Sequence, residues 1–412
     1  MFLKEKDPVL FSLVEAEKKR QACSLEMIAS ESIQPKEALL LAGSVFNNKT
    51  AVGQVGNQRL LGSQNADALE KLASERACEI FGADYANMVT YSGSVANFCA
   101  YSAVMQPGDR ALAMDPASGS HQSHGGSKNI SSKIYNFDYF GLNPQTLDID
   151  YALAEKKAKE HRPKVIVIGS AAFPRVIDYE RLADIAHKNG AYLMADIAHF
   201  TGLVSAGVSP NPVPYADIVT GSTTKTMCGP HSGFIMCKKH LADAVNNAIY
   251  PGYVASLHLQ TVAAMAYALE NSKTEKFKKL MHDVVNNAKY LCESLKKYGF
   301  SIFTGGTDCH MFLLQLHGFG INGVDFADLL ENIGISSNSK GIPFDTSSEV
   351  MGIRMGTTVL TQRGMREKEM DRIAEIIYKA AKFHDNAEVI KSLKADVLRL
   401  SQEFPIPEEY VG

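Results

Sequence analysis

Short apolar runs alternate with stretches of helical periodicity between Tyr85 and about Tyr250. The strand-like runs are Met88–Tyr91, Val165–Gly169, Tyr192–Ala195 and Phe234–Cys237. Buried strands that alternate with helices are typical of a mainly parallel sheet covered by helices on both faces. The pattern therefore predicts an α/β fold for this part of the chain.

The flanking segments have a different pattern, and together they predict three parts. Residues 1–25 are predicted to form an N-terminal helical arm, and residues 26–270 a large domain built on the parallel sheet. Pro251–Gly252 breaks the chain before a long helical stretch. Short strands and helices then follow, so residues 271–412 are predicted to form a smaller α+β domain.

Composition narrows the class of protein. The chain has 412 residues, of which 45% are apolar and 21% charged, as in an ordinary globular protein. The net charge of −3 predicts no nucleic-acid partner. No apolar run is long enough for a membrane span, and the N-terminus lacks the apolar core of a signal peptide. Seven cysteines without paired spacing fit reduced thiols and predict a cytoplasmic protein.

The candidate chemistry begins with two residues that each end a strand. Lys225 follows an apolar run and several small hydroxyl residues, Ser222 among them, which we expect to contact a ligand. A lone loop lysine is usually exposed, but desolvation lowers a lysine pKa and favours imine formation. Asp196 ends another strand, just before His199. An aspartate there can keep a pyridine nitrogen protonated, so the pair predicts a pyridoxal 5′-phosphate (PLP) site and no metal.

A phosphate site is predicted at Ser92-Gly93-Ser94. This turn lies between a strand and the start of a helix, where unpaired N–H groups and serine hydroxyls attract anions. Serine is also a common helix N-cap without any ligand. The nearby Asp–Lys pair favours the phosphate interpretation.

At this point the chain resembles the serine hydroxymethyltransferase family over nearly its full length. The runs that carry the resemblance are Met27–Glu31, Phe81–Asn87, Ser92–Ser94, Asp196–His199, Gly202–Gly207, Pro210–Pro214, Thr224–Thr226, Gly305–Asp308 and Gly352–Thr357. The resemblance implies a PLP-dependent fold type I (aminotransferase-like) architecture with a mainly parallel, seven-stranded sheet in the large domain. It also implies a homodimer with shared active sites.

The resemblance further implies a role for each candidate residue. Lys225 would carry PLP as an internal aldimine, and Asp196 would pair with the pyridine nitrogen. His199 would lie against the cofactor near its O3′ side, and the serines of the phosphate turn would keep that role. Ser30 and Arg354 would hold the substrate carboxylate, a group that the planar fork of arginine matches.

The chain departs from the family where the family serves folate, the serine hydroxyl and stacking on the ring. Val52 stands in place of the family's main proton-handling glutamate, and Ser118 in place of the histidine that stacks on the pyridine ring. The other altered positions are Thr50, Leu60, Leu61, Ser170–Arg175, Thr224, His231–Ser232, Tyr253–Leu257 and Lys340. The residues for the cofactor and the carboxylate survive.

These departures predict a PLP enzyme that does not depend on folate. Loss of a proton-transfer carboxylate costs roughly 10² to 10⁴ in rate. The first hypothesis is aldol-type Cα–Cβ cleavage or formation on an amino acid, with an aldehyde as partner, in a specialised biosynthetic pathway. His121 or His124 would act on the β-hydroxyl, unless these histidines are purely structural. The alternatives are genuine serine hydroxymethyltransfer, β-elimination or transamination, and a non-catalytic PLP-binding dimer.

Overall fold

The computed structural model describes residues 2–410, which form two compact units. The large unit is Ser32–His282, and the small unit combines the residues up to Glu31 with those from Asp283 onward. The units are defined by packing, whereas domains are defined by independent folding. The domain boundaries after residues 25 and 270 therefore stay a prediction.

The strands, numbered in chain order, fall into a few small sheets and one large sheet. They are β1 Leu25–Glu26, β2 Gly53–Gln54, β3 Asn57–Gln58, β4 Tyr85–Thr90, β5 Arg110–Met114, β6 Asn136–Phe140, β7 Val165–Gly169, β8 Tyr192–Asp196, β9 Ile218–Ser222, β10 Gly233–Cys237, β11 Ser301–Ile302, β12 Met311–Gln315, β13 Ile335–Ser336, β14 Asn338–Lys340 and β15 Gly352–Gly356.

The helices alternate with these strands along most of the chain. They are α1 Phe2–Lys6, α2 Pro8–Cys23, α3 Lys36–Ala42, α4 Gln64–Phe81, α5 Gly93–Val104, α6 Ser131–Ile134, α7 Tyr151–His161, α8 Tyr179–Lys188, α9 Thr201–Ser205, α10 Ala242–Asn247, α11 Leu259–Ser272, α12 Glu275–Lys297, α13 Gly323–Ile333, α14 Thr358–Gln362, α15 Glu367–Lys382 and α16 Ala387–Glu403.

The large unit is built on a seven-stranded sheet with the order β4-β10-β9-β8-β7-β5-β6. Strands β6, β5, β7, β8 and β9 are parallel to one another, and β10 runs antiparallel to both β9 and β4. Every residue of β7 and β9 is buried, as expected for central strands covered on both faces. The predicted α/β fold with a mainly parallel, seven-stranded sheet is confirmed.

The parallel order brings the carboxyl ends of β8 and β9 together at one edge of the sheet, because these strands are direct neighbours. Asp196 is the last residue of β8, and Lys225 follows β9 by three residues. Gly169 ends the adjacent strand β7, and a Cβ atom there would lie 2.7 Å from the Cβ of Asp196. The glycine thus leaves space for the aspartate at the sheet edge.

The small unit contains a four-stranded antiparallel sheet with the order β11-β12-β15-β14. Strand β1 pairs with β13, so the N-terminal segment joins this unit through backbone hydrogen bonds. The predicted helical arm contains α1 and α2, while Met1 lies outside the described residues. No residue of α2 is buried, and Val9 and Leu13 on this helix are exposed.

The long helical stretch predicted after the Pro251–Gly252 break is two helices, α11 and α12. Lys273 and Thr274 separate them, and the Thr274 hydroxyl accepts a hydrogen bond from the Phe277 N–H at the start of α12. Apolar periodicity continues across such a short break, which is why the pattern alone did not show it. None of the helices within residues 2–410 is long and apolar enough to cross a membrane.

Glu70 in α4 is a buried acid whose ionisation opposes folding. Burial, and then the nearby Asp67 charge, raise the pKa of Glu70 from 4.5 to about 7, while Gln58 donates to both carboxylates (3.0 and 3.1 Å). Because the folded-state pKa lies above the unfolded one, the free energy of unfolding decreases as pH rises from about 4.5 to 7. Glu70→Gln is expected to stabilise the protein by about 1–3 kcal/mol at pH 8 and hardly at pH 5.

Thermal denaturation at the two pH values checks this prediction. Glu75→Gln is the matched control, because Glu75 is exposed on the same helix in a surface pair with Lys71, and such pairs contribute little. Equal stabilisation by Glu70→Gln at both pH values would show that Glu70 does not titrate in this range.

Candidate active site

One cavity of about 210 Å³ in the large unit collects the sequence-predicted residues that belong to this unit. It is lined by Ser92, Gly93, Ser94, Asn97, His121, Ser170, Asp196, Ala198, His199, Ser222 and Lys225. Sequence reasoning missed Asn97, Ser170 and Ala198. Asn97 lies one helical turn beyond the phosphate motif, and that spacing was the available signal.

Lys225 is held at the sheet edge by an unusual backbone. It has a φ angle of 47°, in the left-handed region that non-glycine residues rarely adopt. It opens a 3₁₀ turn that ends at Met227, and Cys228 after it is left-handed as well, with a φ of 57°. Strained backbone of this kind persists where the surrounding structure enforces it, often at functional sites. The side chain is half-buried.

The turn before the lysine is fixed by short hydrogen bonds. Ser222 Oγ donates to the Ser232 carbonyl (2.8 Å) and lies 2.7 Å from Thr224 Oγ1. Thr223 Oγ1 donates to the Pro230 carbonyl (2.7 Å). The hydroxyl-rich sequence thus ties β9 to the loop before β10, and this contact holds the lysine in place.

Asp196 is buried and receives three hydrogen bonds. Its Oδ2 accepts from Asn97 Nδ2 (2.9 Å) and His124 Nε2 (3.1 Å), and its Oδ1 accepts from the Ala198 N–H (2.8 Å). Burial alone would raise the pKa of Asp196, but the bonds from His124 and Asn97 outweigh it and hold the pKa well below its usual range. Asp196 is therefore ionised at neutral pH, and a carboxylate with about four acceptor sites can take one further donor.

His124 connects Asp196 to a buried tyrosine. The Tyr101 hydroxyl lies 2.6 Å from Nδ1 of His124, and Nε2 of the same ring lies 3.1 Å from Asp196. Because an ionised carboxylate can only accept, Nε2 carries a proton and donates to Asp196. Burial, and then the Asp196 charge, raise the pKa of Tyr101 well above 10, so its hydroxyl stays protonated. With both ring nitrogens bound and no exposed surface, His124 positions Asp196 rather than contacting a substrate.

His121 lines the cavity itself and has a different environment. Its Nδ1 lies 2.7 Å from Ser123 Oγ and accepts from the Ser123 N–H (3.2 Å). The serine hydroxyl can donate to the ring or accept from it, and it also accepts from Asn97 Nδ2 (2.8 Å). The Ser123 N–H therefore favours the tautomer of His121 in which Nδ1 is unprotonated and accepts this bond.

The start of helix α5 faces the same cavity. Ser92 is its N-cap, and its Oγ accepts from the Val95 N–H (3.2 Å), so the plain capping interpretation holds for this hydroxyl. The cap also aligns the first N–H groups of the helix, around Gly93 and Ser94, at the cavity wall. Gly233 makes the close approach of β10 possible, because a Cβ atom there would lie 2.2 Å from the Ser92 carbonyl oxygen.

These groups fit PLP. The ionised carboxylate of Asp196 matches a protonated pyridine nitrogen, and the α5 N-terminus with Ser92 and Ser94 matches a phosphate. Lys225 supplies the amine for the aldehyde. The cavity therefore contains a partner for the ring nitrogen, the phosphate and the aldehyde of the cofactor. These assignments are proposals.

Ser30 and Arg354, the predicted carboxylate ligands, belong to the small unit. Arg354 lies on β15, where its Nε donates to Asn338 Oδ1 (3.1 Å), and burial lowers the pKa of its guanidinium from the ordinary 12.5. Ser30 follows β1 and is half-buried. Their role in binding the substrate stays a prediction.

Comparison with protein families gives a match that extends over most of the chain. The family model described as serine hydroxymethyltransferase matches residues 3–377. The match includes all the candidate site residues in both units. The resemblance drawn from the motifs is thereby confirmed, and so are PLP as cofactor and the fold type I architecture.

Proposed function

The chain belongs to the serine hydroxymethyltransferase family of PLP-dependent transferases, and from that premise we propose that it catalyses aldol-type Cα–Cβ cleavage or formation on an amino acid without folate. The substrate would be a β-hydroxy amino acid, or glycine together with an aldehyde. A specialised biosynthetic pathway would suit such an activity. A homodimer with shared active sites stays part of this proposal.

The observation that carries the proposal is the set of titratable groups at the cavity. Asp196 is the one carboxylate among the described lining residues, and its oxygens accept from Asn97, His124 and the Ala198 N–H. A carboxylate whose pKa is strongly lowered and that already accepts three hydrogen bonds is a poor proton-transfer group near neutral pH. With Val52 in place of the family's glutamate, His121 is the side chain that we assign to the β-oxygen of the substrate.

The residues would divide the work as follows. Bound PLP supplies a ring that withdraws electrons from Cα of the substrate. Asp196 keeps the ring nitrogen protonated, and Arg354 holds the substrate carboxylate and so disfavours decarboxylation. His121 accepts the β-hydroxyl proton in the cleavage direction and returns it to the aldehyde oxygen in the synthetic direction. His121 rather than His124 is assigned this role, because His121 lines the cavity whereas His124 has no exposed surface.

We expect the holoenzyme to cleave a β-hydroxy amino acid at a rate that tetrahydrofolate does not change. Val52, Leu60 and Leu61 would place apolar groups against a polar pterin. Unpaired polar groups cost roughly 1–3 kcal/mol each, so two of them weaken binding on the order of a hundredfold. The measurement combines calorimetry with tetrahydrofolate and an assay of aldehyde release with and without it.

Two results would contradict this prediction in different ways. Micromolar folate binding with folate-dependent serine cleavage would make the chain an ordinary serine hydroxymethyltransferase. Amino acids that change the cofactor absorbance without any product would favour a binding protein, and a keto acid or ammonia as product would identify transamination or β-elimination. A Val52→Glu variant provides the matched comparison, since it restores the family's carboxylate.

A further inference from the structure

One face of the antiparallel sheet in the small unit carries two cations. Strand β14 pairs with β15 so that Asn338 lies opposite Arg354 and Lys340 lies opposite Gly352. Because side chains alternate between the faces of a strand, Asn338, Lys340 and Arg354 share one face. Ile353, next to Arg354, points to the other face and is fully buried in the core of the small unit.

The orientation of Arg354 on this face is fixed. Its Nε donates to the amide oxygen of Asn338 directly across the strand pair, at 3.1 Å. This bond sets the plane of the guanidinium, and both side chains are half-buried. A fixed, partly desolvated guanidinium is suited to a carboxylate.

Lys340 lies diagonally across from Arg354, at the separation of about 7–8 Å that this register gives. The lysine is half-buried, and within residues 2–410 the structure shows no salt bridge for it. Burial, and then repulsion from Arg354, lower the pKa of Lys340 from its ordinary 10.5. The two cations therefore repel each other on this face, and an anion bound to Lys340 would reduce that repulsion.

A different explanation for Lys340 is protection of a sheet edge. Strand β14 is the edge strand of its sheet, and edge lysines commonly prevent pairing with other sheets. A lysine with that purpose is effective when its ammonium is fully solvated. A half-buried ammonium beside a second cation is poorly solvated, which makes it less effective for edge protection but strengthens its attraction to an anion. The geometry therefore favours an anion site.

We propose that Lys340 binds a second carboxylate, at the end of the substrate's side chain, while Arg354 binds the α-carboxylate. This inference rests on the proposed function and names its substrate class, β-hydroxy amino acids with a side-chain carboxylate. In the cleavage direction the Cα–Cβ bond breaks, the hydroxyl loses its proton and becomes the aldehyde oxygen, and Cα gains a proton. The products are glycine and an aldehyde that bears a carboxylate, with no net oxidation or reduction.

Two probes that differ at one group test the proposal on the holoenzyme. 3-Hydroxyaspartate and threonine are both β-hydroxy amino acids, with a carboxylate or a methyl group on Cβ. We expect the wild-type kcat/KM to be higher for 3-hydroxyaspartate. Lys340→Met is expected to lower it by about tenfold to a hundredfold, as for the loss of one charged hydrogen bond, and to leave threonine turnover unchanged.

The controls separate charge from structure. Lys340→Arg keeps the cation and is expected to retain the preference for 3-hydroxyaspartate. Lys391→Met removes an exposed lysine of α16 in the same unit and is expected to change neither substrate. Equal loss for both substrates in Lys340→Met, or a wild-type enzyme that does not discriminate, would overturn the proposal.

A binding measurement distinguishes failure of this inference from failure of the proposed function. If neither probe is cleaved, the aldol activity is wrong, but L-aspartate and L-alanine can still be titrated into the holoenzyme by calorimetry. Tighter binding of L-aspartate that Lys340→Met abolishes, with L-alanine unaffected, supports the anion site. Equal affinity for the two amino acids in the wild-type protein excludes it.

Discussion

Lys225→Ala is expected to give a folded protein that purifies without covalently attached PLP. Its kcat is expected to fall by roughly 10³-fold or more, as when a covalent catalytic group is removed. The reason is local, because Lys225 is the one lysine that lines the cavity in the described chain. It follows the buried strand β9 and has a φ of 47°, so its backbone is committed to this position. Asp196 and the phosphate turn remain in the variant, so we expect it to keep weak, non-covalent affinity for PLP.

The measurement is borohydride reduction of the wild-type holoenzyme, followed by peptide mapping and by absorbance spectra of both proteins. Lys239→Ala is the matched control, because Lys239 is exposed just after β10 in the same unit. Recovery of reduced cofactor on any lysine other than Lys225 would refute the assignment. So would a Lys225→Ala protein that retains the absorbance band of covalently bound PLP.

The sequence predicted Asp196 and Lys225 because each lies at or shortly beyond the carboxyl end of a strand that begins with an apolar run. Strands β7, β8 and β9 are buried on both faces, and such strands appear as continuous apolar runs. The polar residues at or just beyond their carboxyl ends then stand out at one edge of a parallel sheet. Ser92 was recognisable for a similar reason, since a serine between a strand and a helix marks the helix N-terminus.

The groups around Asp196 were not predictable in the same way. Tyr101 belongs to α5, and its sequence context is that of an ordinary core aromatic residue. His124 lies in a segment between β5 and α6 that has no helical or strand periodicity. Their contact with Asp196 depends on the order of β5, β7 and β8 in the sheet, which pairs residues far apart in the chain. Local patterns carry no information on that order, so the Tyr101–His124–Asp196 chain became visible only in the structure.

Strands β5 and β6 escaped prediction, and for β6 the reason is its position at the edge of the sheet. Strand β6 is only partly buried along most of its length, as an edge strand of the sheet, and it contains Asn136 and Asp138. The apolar signal of such a strand is weak, because one edge and part of a face are solvated. The seven-stranded sheet was therefore expected from the resemblance to the family, and five of its strands from the residues.

Asp196→Asn is expected to lower kcat by roughly 10²–10³, as for the loss of one preorganised electrostatic group, while PLP stays attached to Lys225. The substitution keeps the shape of the side chain and removes its charge, so the pyridine nitrogen loses the anion that holds its proton. Because the pKa of Asp196 is held well below its usual range, the wild-type carboxylate stays ionised throughout the neutral range. We therefore expect the loss in kcat to be independent of pH between about 6 and 9.

Tyr101→Phe tests whether the hydrogen-bonded Tyr101–His124–Asp196 chain helps to keep Asp196 ionised. It removes the hydroxyl that is hydrogen-bonded to His124 but leaves the carboxylate, so a smaller loss in kcat with unchanged KM is expected. Asp243→Asn, at an exposed carboxylate on α10, is the control for a charge change outside the cavity. Wild-type kcat in a cofactor-loaded Asp196→Asn protein would mean that the ring nitrogen needs no anion here, and the assignment of Asp196 would fail.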